Sequence, residues 1–511
     1  MPKRIRLAAP TAASPWTKRV AIPRTQGLAR NETADVCIVG AGIAGLTTAH
    51  LLAEAGQSVV VVDDGPIGRG MTSATSAHLS NAIDAGYTEI ERMHGERGAQ
   101  LVAASHSAAI DRIEAIVHEH RIACDFARVD GYLYRGDSDT DLEAELKAVH
   151  RAGLTGVTMV PRAPIDGFDT GPCLEYPGQG QFHPLKYLAG LVRAIVKAGG
   201  RVYTNTHAET IQGGPSAQVT SGNHTIATGA VVVATNAPVN DLVAIHTKQA
   251  PYMTYVVALR VPRGSVPQAL YWDAEDPYHY VRVYSPGATS AFDLLIVGGE
   301  DHKSGQVDDT AERHRRLETW ARQRFPMIDG TEFIWGGQVM EPADGVAFIG
   351  RNPLDSNNVY IATGDAGMGL THGTIAGILL TDLVLGRANE WAALYDPARK
   401  PVRAPGEYLK EAANMAAQYT TWVTGGDVES ADQVARGSGA VLRRGLSKVA
   451  VYRDERGVLH ERSAVCTHLG CIVRWNEAEK TWDCPCHGSR FEKLGDVING
   501  PANRGLTPVS E

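Results

Sequence analysis

A glycine-rich turn between two apolar segments is the feature that most constrains this chain. Residues 35–39 (Asp-Val-Cys-Ile-Val) are typical of a buried strand, and residues 40–45 (Gly-Ala-Gly-Ile-Ala-Gly) follow at once with the spacing GxGxxG. Residues 46–55 are typical of a helix, and a second apolar strand, 59–62, ends at Asp63. These glycines permit a tight turn, close approach of a pyrophosphate to the backbone, and close packing of helix on strand. The sequence therefore predicts a dinucleotide site in which Asp63 accepts hydrogen bonds from a ribose.

Length and charge narrow the class of protein. A chain of 511 residues exceeds what one hydrophobic core usually serves, so at least two domains are expected. Its 49 basic and 57 acidic residues give a net charge of -8, which argues against nucleic acid as the main partner. The sequence has no apolar run of about 18 residues and no evident secretory signal, so we expect no transmembrane segment and a cytoplasmic location.

Cysteine and histidine cluster near the C-terminus. Four of the seven cysteines lie within residues 466–486. Cys466 is followed by His468, and Cys484 by His487, so each short segment contributes one thiol and one imidazole. A structural zinc site is one interpretation, but zinc fingers place two cysteines together and two histidines together. The mixed pairs favour a [2Fe–2S] cluster, in which two thiolates hold one iron and two imidazoles hold the other.

These two segments closely resemble the cluster loops of Rieske domains. The resemblance implies four cluster ligands, a cysteine pair on one iron and a histidine pair on the other: Cys466, Cys484, His468 and His487. It also implies a disulfide between Cys471 and Cys486, because cysteines at these positions tie the two loops together in the high-potential Rieske subgroup. Residues 499–502 (Asn-Gly-Pro-Ala) resemble the proline loop that covers the cluster, and Ser489 matches a serine that donates a hydrogen bond to a cluster sulfur.

More distant segments favour FAD over NAD at the glycine turn. An apolar strand ends at residues 234–236 (Ala-Thr-Asn), and a late strand leads into a second glycine-rich turn at 364–369. Here the sequence resembles the D-amino-acid oxidase superfamily, over roughly residues 35–400. No second GxGxxG follows a strand, which argues against an NAD(P)H-driven reductase. The candidate FAD contacts are Gly40, Gly42, Ile43, Ala44, Gly45, Asp63, Asp64, Gly70, Thr72, Ser76, Ala77, His78, Ala234, Thr235, Gly364, Asp365, Gly367, Met368, Gly369 and Thr371.

The chain as a whole resembles a bacterial family of FAD-dependent oxidoreductases with a C-terminal Rieske domain. The implied fold is an α/β Rossmann-like FAD-binding fold with an interleaved α+β substrate domain, plus a C-terminal all-β Rieske domain. His78 is the one histidine of residues 72–78, and we favour a contact or packing role for it over covalent attachment to the flavin. The predicted boundaries are an N-terminal arm at 1–34, the FAD-dependent oxidoreductase at 35–400 with its substrate domain mainly at 90–175 and 245–335, a linker at 401–420, and the Rieske domain at 421–511.

The candidate catalytic residues come from a stretch dense in aromatic and polar groups near residue 280. On a strand, Tyr280 and Arg282 share one face and His279 points the other way. Tyr280 and Arg282 are therefore predicted to face substrate, with Arg282 pairing a carboxylate and His279 as a third candidate. The alternative is a purely structural cluster. Gln338 and Glu341 are further candidates to lie near the flavin.

Three functions fit these motifs. The first is oxidation of an amine or amino acid at FAD, with the electrons leaving through the cluster to an external partner, either a protein or a quinone. The second runs electrons from an external donor through the cluster to FAD and reduces an unsaturated substrate. The third is a non-enzymatic electron-transfer module. A Rieske oxygenase is disfavoured because no compact set of two histidines and a carboxylate is visible for a mononuclear iron.

Overall fold

The computed structural model of the protein describes residues 11–18, 20–240, 245–400 and 405–509. The first ten residues of the predicted arm and residues 401–404 of the predicted linker lie outside these ranges. Strands and helices are numbered below in chain order. No helix within the described ranges combines the length and apolar composition that crossing a bilayer requires.

The first sheet has eight strands and is parallel at its centre. Its path is β17-β18-β11-β2-β3-β8, with β10 attached to β11 and β9 attached to β10. The strands are β2 (Glu32–Val39), β3 (Val59–Val62), β8 (Arg201–Tyr203), β9 (Thr210–Gln212), β10 (Gln218–Ser221), β11 (His224–Val233), β17 (Phe348–Arg351) and β18 (Val359–Thr363). The accompanying helices are α1 (Ile43–Glu54), α5 (Pro184–Lys197) and α7 (Gly369–Val384). The β2–turn–α1–β3 unit is the strand–turn–helix–strand that the glycine spacing predicts.

The second sheet has ten strands and takes them from separate stretches of the chain. They are β1 (Thr11–Ala12), β4 (His78–Leu79), β5 (Ala127–Tyr134), β6 (Thr158–Val160), β7 (Cys173–Gln181), β12 (Gln249–Pro262), β13 (Leu270–Asp273), β14 (His279–Tyr284), β15 (Phe292–Lys303) and β16 (Gly330–Pro342). The helices in these stretches are α2 (Met71–Ala74), α3 (Tyr87–Glu119, interrupted at Gly95), α4 (Leu142–Arg151), α6 (Thr310–Arg324) and α8 (Ala392–Tyr395). The chain crosses between the two sheets several times, as an interleaved substrate domain requires.

Alternating side chains on the central strands build the hydrophobic cores. Ile38 of β2 and Val256 of β12 belong to one large core shared by both sheets, whereas Cys37 and Tyr255, their neighbours in sequence, face separate cores on the opposite sides. This follows from the two-residue period of a strand. The two sheets are thus joined through buried apolar contacts.

The C-terminal region is built from two small antiparallel sheets, and its strands are all short. One contains β19 (Ser438–Arg444), β20 (Ser447–Arg453) and β21 (Leu459–Ser463), and the other β22 (Arg474–Asn476), β23 (Thr481–Asp483), β24 (Arg490–Glu492) and β25 (Val497–Asn499). The helix α9 (Pro405–Gln418) precedes them. This is an all-β domain, as the Rieske resemblance implies.

The described part of the N-terminal arm packs into the protein through Trp16. Its indole is fully buried, donates a hydrogen bond to the Thr75 carbonyl (2.6 Å) and packs edge-on against Tyr284. Truncating a buried aromatic of this kind typically costs about 3–5 kcal/mol. We therefore assign this part of the arm to the folded core.

Candidate functional site

A single large cavity runs between the first sheet, the second sheet and the C-terminal domain. Its volume is about 760 Å³, within the usual range for cofactor sites. Its lining includes the glycine turn, the loop after β3, side chains of β13 and the segment leading into β14. The cavity is therefore lined by the segments that the sequence analysis predicted to contact a flavin.

The glycine turn forms the dinucleotide end of the cavity. Gly40 has φ +110°, and a side chain there would overlap the Ala234 carbonyl oxygen on the neighbouring strand. Asp63 accepts hydrogen bonds from the backbone N–H groups of Ala41 (2.7 Å) and Gly65 (2.8 Å), which fix its carboxylate at the end of β3. Burial raises the pKa of Asp63 to about 6, against the opposing effect of these two bonds. The arrangement fits a ribose-binding acid beside a pyrophosphate turn.

Most of the predicted FAD contacts line this cavity. They are Gly40, Gly42, Ile43, Ala44, Asp63, Asp64, Gly70, Thr72, Ser76, His78, Ala234, Thr235, Asp365, Gly367, Met368 and Gly369. The other four lie behind the wall: Gly45, Ala77, Gly364 and Thr371. Gly45 supports the turn by packing against the Gly40 carbonyl, and Thr371 hydrogen-bonds the Met368 carbonyl (2.9 Å) within its own helix. Ordered spacing along a turn does not tell which of its residues face inward.

His78 lies in the cavity wall with both ring nitrogens engaged. Nδ1 is 3.1 Å from the Ser76 hydroxyl oxygen, and Nε2 is 3.3 Å from the Val281 carbonyl oxygen. Burial lowers the pKa of His78 to about 3, so the ring is neutral. These contacts fit the packing role expected for His78.

The two cysteine–histidine loops converge within the C-terminal domain. Cys466 and Cys484 are close enough to share a hydrogen bond, which lowers the pKa of Cys466 to about 7. The His468 and His487 rings meet edge-on with centroids 4.9 Å apart, and burial lowers the pKa of His487 to about 3. A pair of thiols beside a pair of imidazoles fits the ligand set of a Rieske cluster. These four side chains would hold the cluster.

Cys471 and Cys486 form the predicted disulfide, with their Cα atoms 6.4 Å apart. It joins the two cluster loops, which confirms the pairing implied by the Rieske resemblance. Cys37, Cys124 and Cys173 are free and buried, and burial raises the pKa of Cys37 to about 12. They are therefore packing residues.

The C-terminal domain itself lines the cavity, which the sequence did not reveal. Val497, Ile498, Asn499, Gly500, Ala502 and Asn503 contribute to its wall. The same loop reaches the cluster site, because the Ala502 N–H donates a hydrogen bond to the Ser489 hydroxyl (3.0 Å). Asn503 anchors it to the first sheet through the Ala208 carbonyl (3.1 Å). The predicted proline loop thus lies between the cavity and the cluster ligands.

The three candidate catalytic residues separate in the structure. Tyr280 lines the cavity, and its hydroxyl is 3.2 Å from that of Thr254. Arg282 shares the Tyr280 face but lies outside the wall, where it donates a hydrogen bond to the Ala77 carbonyl (2.5 Å) and stacks over Trp16. His279 points the other way, bonds Asp273 (3.0 Å) and stacks on Trp320. The two faces follow the strand period as predicted, but Arg282 and His279 lie outside the cavity wall and contact other protein groups.

Acidic groups gather around the late glycine turn. Asp84 and Asp365 line the cavity, and Asp84 lies directly against Gly367. Burial raises the pKa of Asp84 to about 7, aided by repulsion from Asp301 and Asp365. Burial also raises the pKa of Glu341 well above its usual range. Among the described residues that line the cavity, the one guanidinium or ammonium group belongs to Arg69, on the loop after Asp63.

Comparison with known proteins agrees with this geometry. Residues 35–383 match the family model described as FAD dependent oxidoreductase, and residues 425–510 match the Rieske [2Fe-2S] domain. The chain is 31% identical over 502 residues to "Putative Rieske 2Fe-2S iron-sulfur protein YhfW" of Bacillus subtilis (strain 168), covering 97% of each chain.

Two further known proteins each match about three quarters of this chain. The γ-glutamylputrescine oxidoreductase of Escherichia coli (strain K12) is 27% identical, over 73% of this chain and 90% of its own. Glycine oxidase from Geobacillus kaustophilus has the same fold, with a TM-score of 0.60 at 19% identity over 72% of this chain and 100% of its own. The chain therefore belongs to the FAD-dependent oxidoreductase family and carries a C-terminal Rieske domain, so its two cofactors are FAD and a [2Fe–2S] cluster.

Proposed function

We propose that this protein is a flavin-dependent dehydrogenase that oxidises a C–N bond, and that the electrons leave through the Rieske cluster to an external acceptor. Of the two substrate classes predicted, amine or amino acid, we favour an amine that carries positive charge and no carboxylate beside the flavin. The observation that carries this proposal is the shared cavity, whose wall contains both the flavin turns and the loop next to the cluster ligands.

The charges around the cavity support an amine substrate. Arg282, the predicted partner for a substrate carboxylate, is buried against Ala77 and Trp16. The wall beside Tyr280 instead offers Asp84 and, at the late turn, Asp365. A carboxylate substrate would face repulsion there, whereas an ammonium group would be attracted. One relative is also named as an oxidoreductase of γ-glutamylputrescine, which is an amine.

The roles of the residues follow from this arrangement. FAD, when bound, would accept a hydride from the carbon next to the amine nitrogen, and the cluster would carry the two electrons away one at a time. Asp84 would attract the amine, and Tyr280, whose pKa burial raises, would present a neutral hydroxyl to it. An ammonium substrate must lose one N–H proton before its α-carbon can release a hydride, and a carboxylate such as Asp84 is available to take that proton, because its pKa of about 7 lies near neutrality. The imine would then hydrolyse with water.

Anaerobic mixing of the holoprotein with substrate panels tests the reaction class. We expect diamines and secondary amines to bleach the flavin absorbance, because hydride transfer needs no oxygen. Amino acids are expected to react more slowly, since their carboxylate meets acidic groups in the wall. Bleaching by 2-hydroxy acids with no response to any amine or amino acid would overturn the proposal.

Binding of a cation is expected to depend on pH through Asp84. Above its pKa of about 7 the carboxyl is charged and attracts a cation, and below it the carboxyl is neutral. The affinity for a permanently charged probe, hexyltrimethylammonium, should therefore rise several-fold as pH increases through neutrality. The dissociation constant can be read from the flavin absorbance at each pH. Asp84→Asn should flatten this dependence on pH. The control Asp64→Asn, at the dinucleotide end of the same cavity, should preserve it. A flat profile in the unmodified protein would contradict the role of Asp84 in attracting the cation.

A further inference from the structure

One side chain connects the flavin cavity directly to a cluster loop. Gln338 lies on β16, lines the cavity and is only 2% exposed. Its Nε2 donates a hydrogen bond to the Gly488 carbonyl (2.6 Å), and its Oε1 accepts one from the Asn499 side chain. Gly488 follows the cluster ligand His487 in sequence. Both polar atoms of the Gln338 carboxamide are therefore engaged by the Rieske domain, on the two loops that surround the cluster site.

The cluster loop is shaped to accept this contact. Gly488 has φ +80°, a conformation that side chains rarely adopt. A Cβ atom on Gly488 would lie 2.7 Å from Gln338 Nε2 and would also press on Pro251 of β12. The absence of a side chain thus lets the loop backbone touch the flavin part of the chain. The contact depends on Gln338 in the flavin part of the chain and on the missing side chain of Gly488 in the Rieske domain, which distinguishes it from incidental packing.

The imidazole pair also faces the flavin part of the chain. The His246 ring, which precedes β12, lies edge-on to His468 at 5.0 Å and to His487 at 5.9 Å between centroids. His246 and His487 are 1% and 3% exposed. The ligand His487 is therefore enclosed by the protein itself, with a histidine of the flavin part of the chain against it.

We infer that Gln338 is a positioning residue for electron transfer between the flavin and the cluster. This inference rests on the proposed function, in which electrons pass between the two centres. Hydrogen bonds around a redox centre fix its ligands and their distance to a partner. The link from Gln338 through the Gly488 carbonyl to the His487 backbone is a continuous series of covalent and hydrogen bonds. Each transfer along it moves one electron, oxidises the flavin side, reduces the cluster side and breaks no bond.

Two variants test the contact from opposite sides. Gln338→Met keeps the length of the side chain and removes both hydrogen bonds, and Gly488→Ala pushes the loop away from Gln338. Gln249→Met is the matched control, because Gln249 is a buried glutamine of the neighbouring strand that bonds Thr363 (3.1 Å) within the flavin part of the chain. FAD content, iron content and thermal unfolding of each holoprotein establish that the variants are folded and loaded.

The measurement is anaerobic laser-flash photoreduction with deazariboflavin, in which a single electron is injected and its redistribution between flavin and cluster is followed by absorbance. We expect a concentration-independent phase in the unmodified protein, slowed several-fold in Gln338→Met and in Gly488→Ala and unchanged in Gln249→Met. Cluster midpoint potentials, measured by redox titration with electron paramagnetic resonance, should stay the same, because Gln338 contacts no cluster ligand side chain.

The outcomes separate the two claims. An unslowed phase in Gln338→Met, or slowing that is fully explained by a shifted cluster potential, would overturn the role of Gln338 and leave the proposed function intact. Absence of any intramolecular phase in the unmodified protein would overturn the proposed electron path itself, and the inference with it.

Discussion

Cys484→Ala is expected to eliminate the iron–sulfur cluster while FAD remains bound. Cys484 is 1% exposed and supplies one of the two thiols that meet in the C-terminal domain. Loss of Cys484 leaves three protein ligands, so one iron lacks a ligand that it needs. The site is buried, and among the described residues no other free cysteine lies there to replace Cys484. The nearby Cys471 and Cys486 are engaged in the disulfide. Cluster assembly should therefore fail.

The consequence for activity is a separation of the two half-reactions. An amine that bleaches the flavin in the unmodified protein should still bleach it in Cys484→Ala, because the cavity wall contains no Cys484 atom. Turnover with a one-electron acceptor should fall to background, because the path out of the flavin has lost its relay. Iron content and the electron paramagnetic resonance signal report the cluster, and stopped-flow absorbance reports the flavin.

Cys124→Ala is the matched control, since Cys124 is also a buried cysteine but belongs to the large core shared by both sheets. It should keep the cluster and cost only a modest loss of stability. Cys484→Ala protein that retains two irons and the Rieske signal would contradict the ligand assignment. Full turnover without a cluster would contradict the proposed electron path.

The reliable predictions came from residues that lie close together in the sequence. The turn at 40–45 and the pairs Cys466/His468 and Cys484/His487 each depend on short spacings that local backbone geometry fixes. The structure agrees with them because a strand, turn and helix, or a pair of cluster loops, needs little information from the rest of the chain. The alternation that placed Tyr280 and Arg282 on one face of β14 is a local property of the same kind.

What the sequence did not reveal depends on distant segments. The distinction between Tyr280 in the wall and Arg282 behind it is set by Trp16, which comes from the arm and fills the space beneath Arg282. Strand β5 (Ala127–Tyr134) interrupts a stretch that helical patterns dominate, and it is held by pairing with β7 and β13. The contacts of Gln338 with Gly488 and Asn499 join residues more than 140 positions apart. Such contacts have no local signal.

Gly45→Ala is expected to have the second large effect, on FAD binding and on the stability of the first sheet. A Cβ atom at Gly45 would overlap the Gly40 carbonyl oxygen and press on Ile38. Because the obstacle is backbone, the turn must open or α1 must move away from β2, and overpacking of this kind typically costs about 1–3 kcal/mol. Either movement displaces the N–H groups that would meet the pyrophosphate. Thermal unfolding and the ratio of FAD absorbance to protein absorbance measure both effects.

Gly27→Ala is the control, because a Cβ atom there would make only ordinary contacts of 3.5 Å or more. Gly45→Ala protein that binds FAD at the unmodified ratio would show that close packing of α1 on β2 is not what shapes the dinucleotide turn.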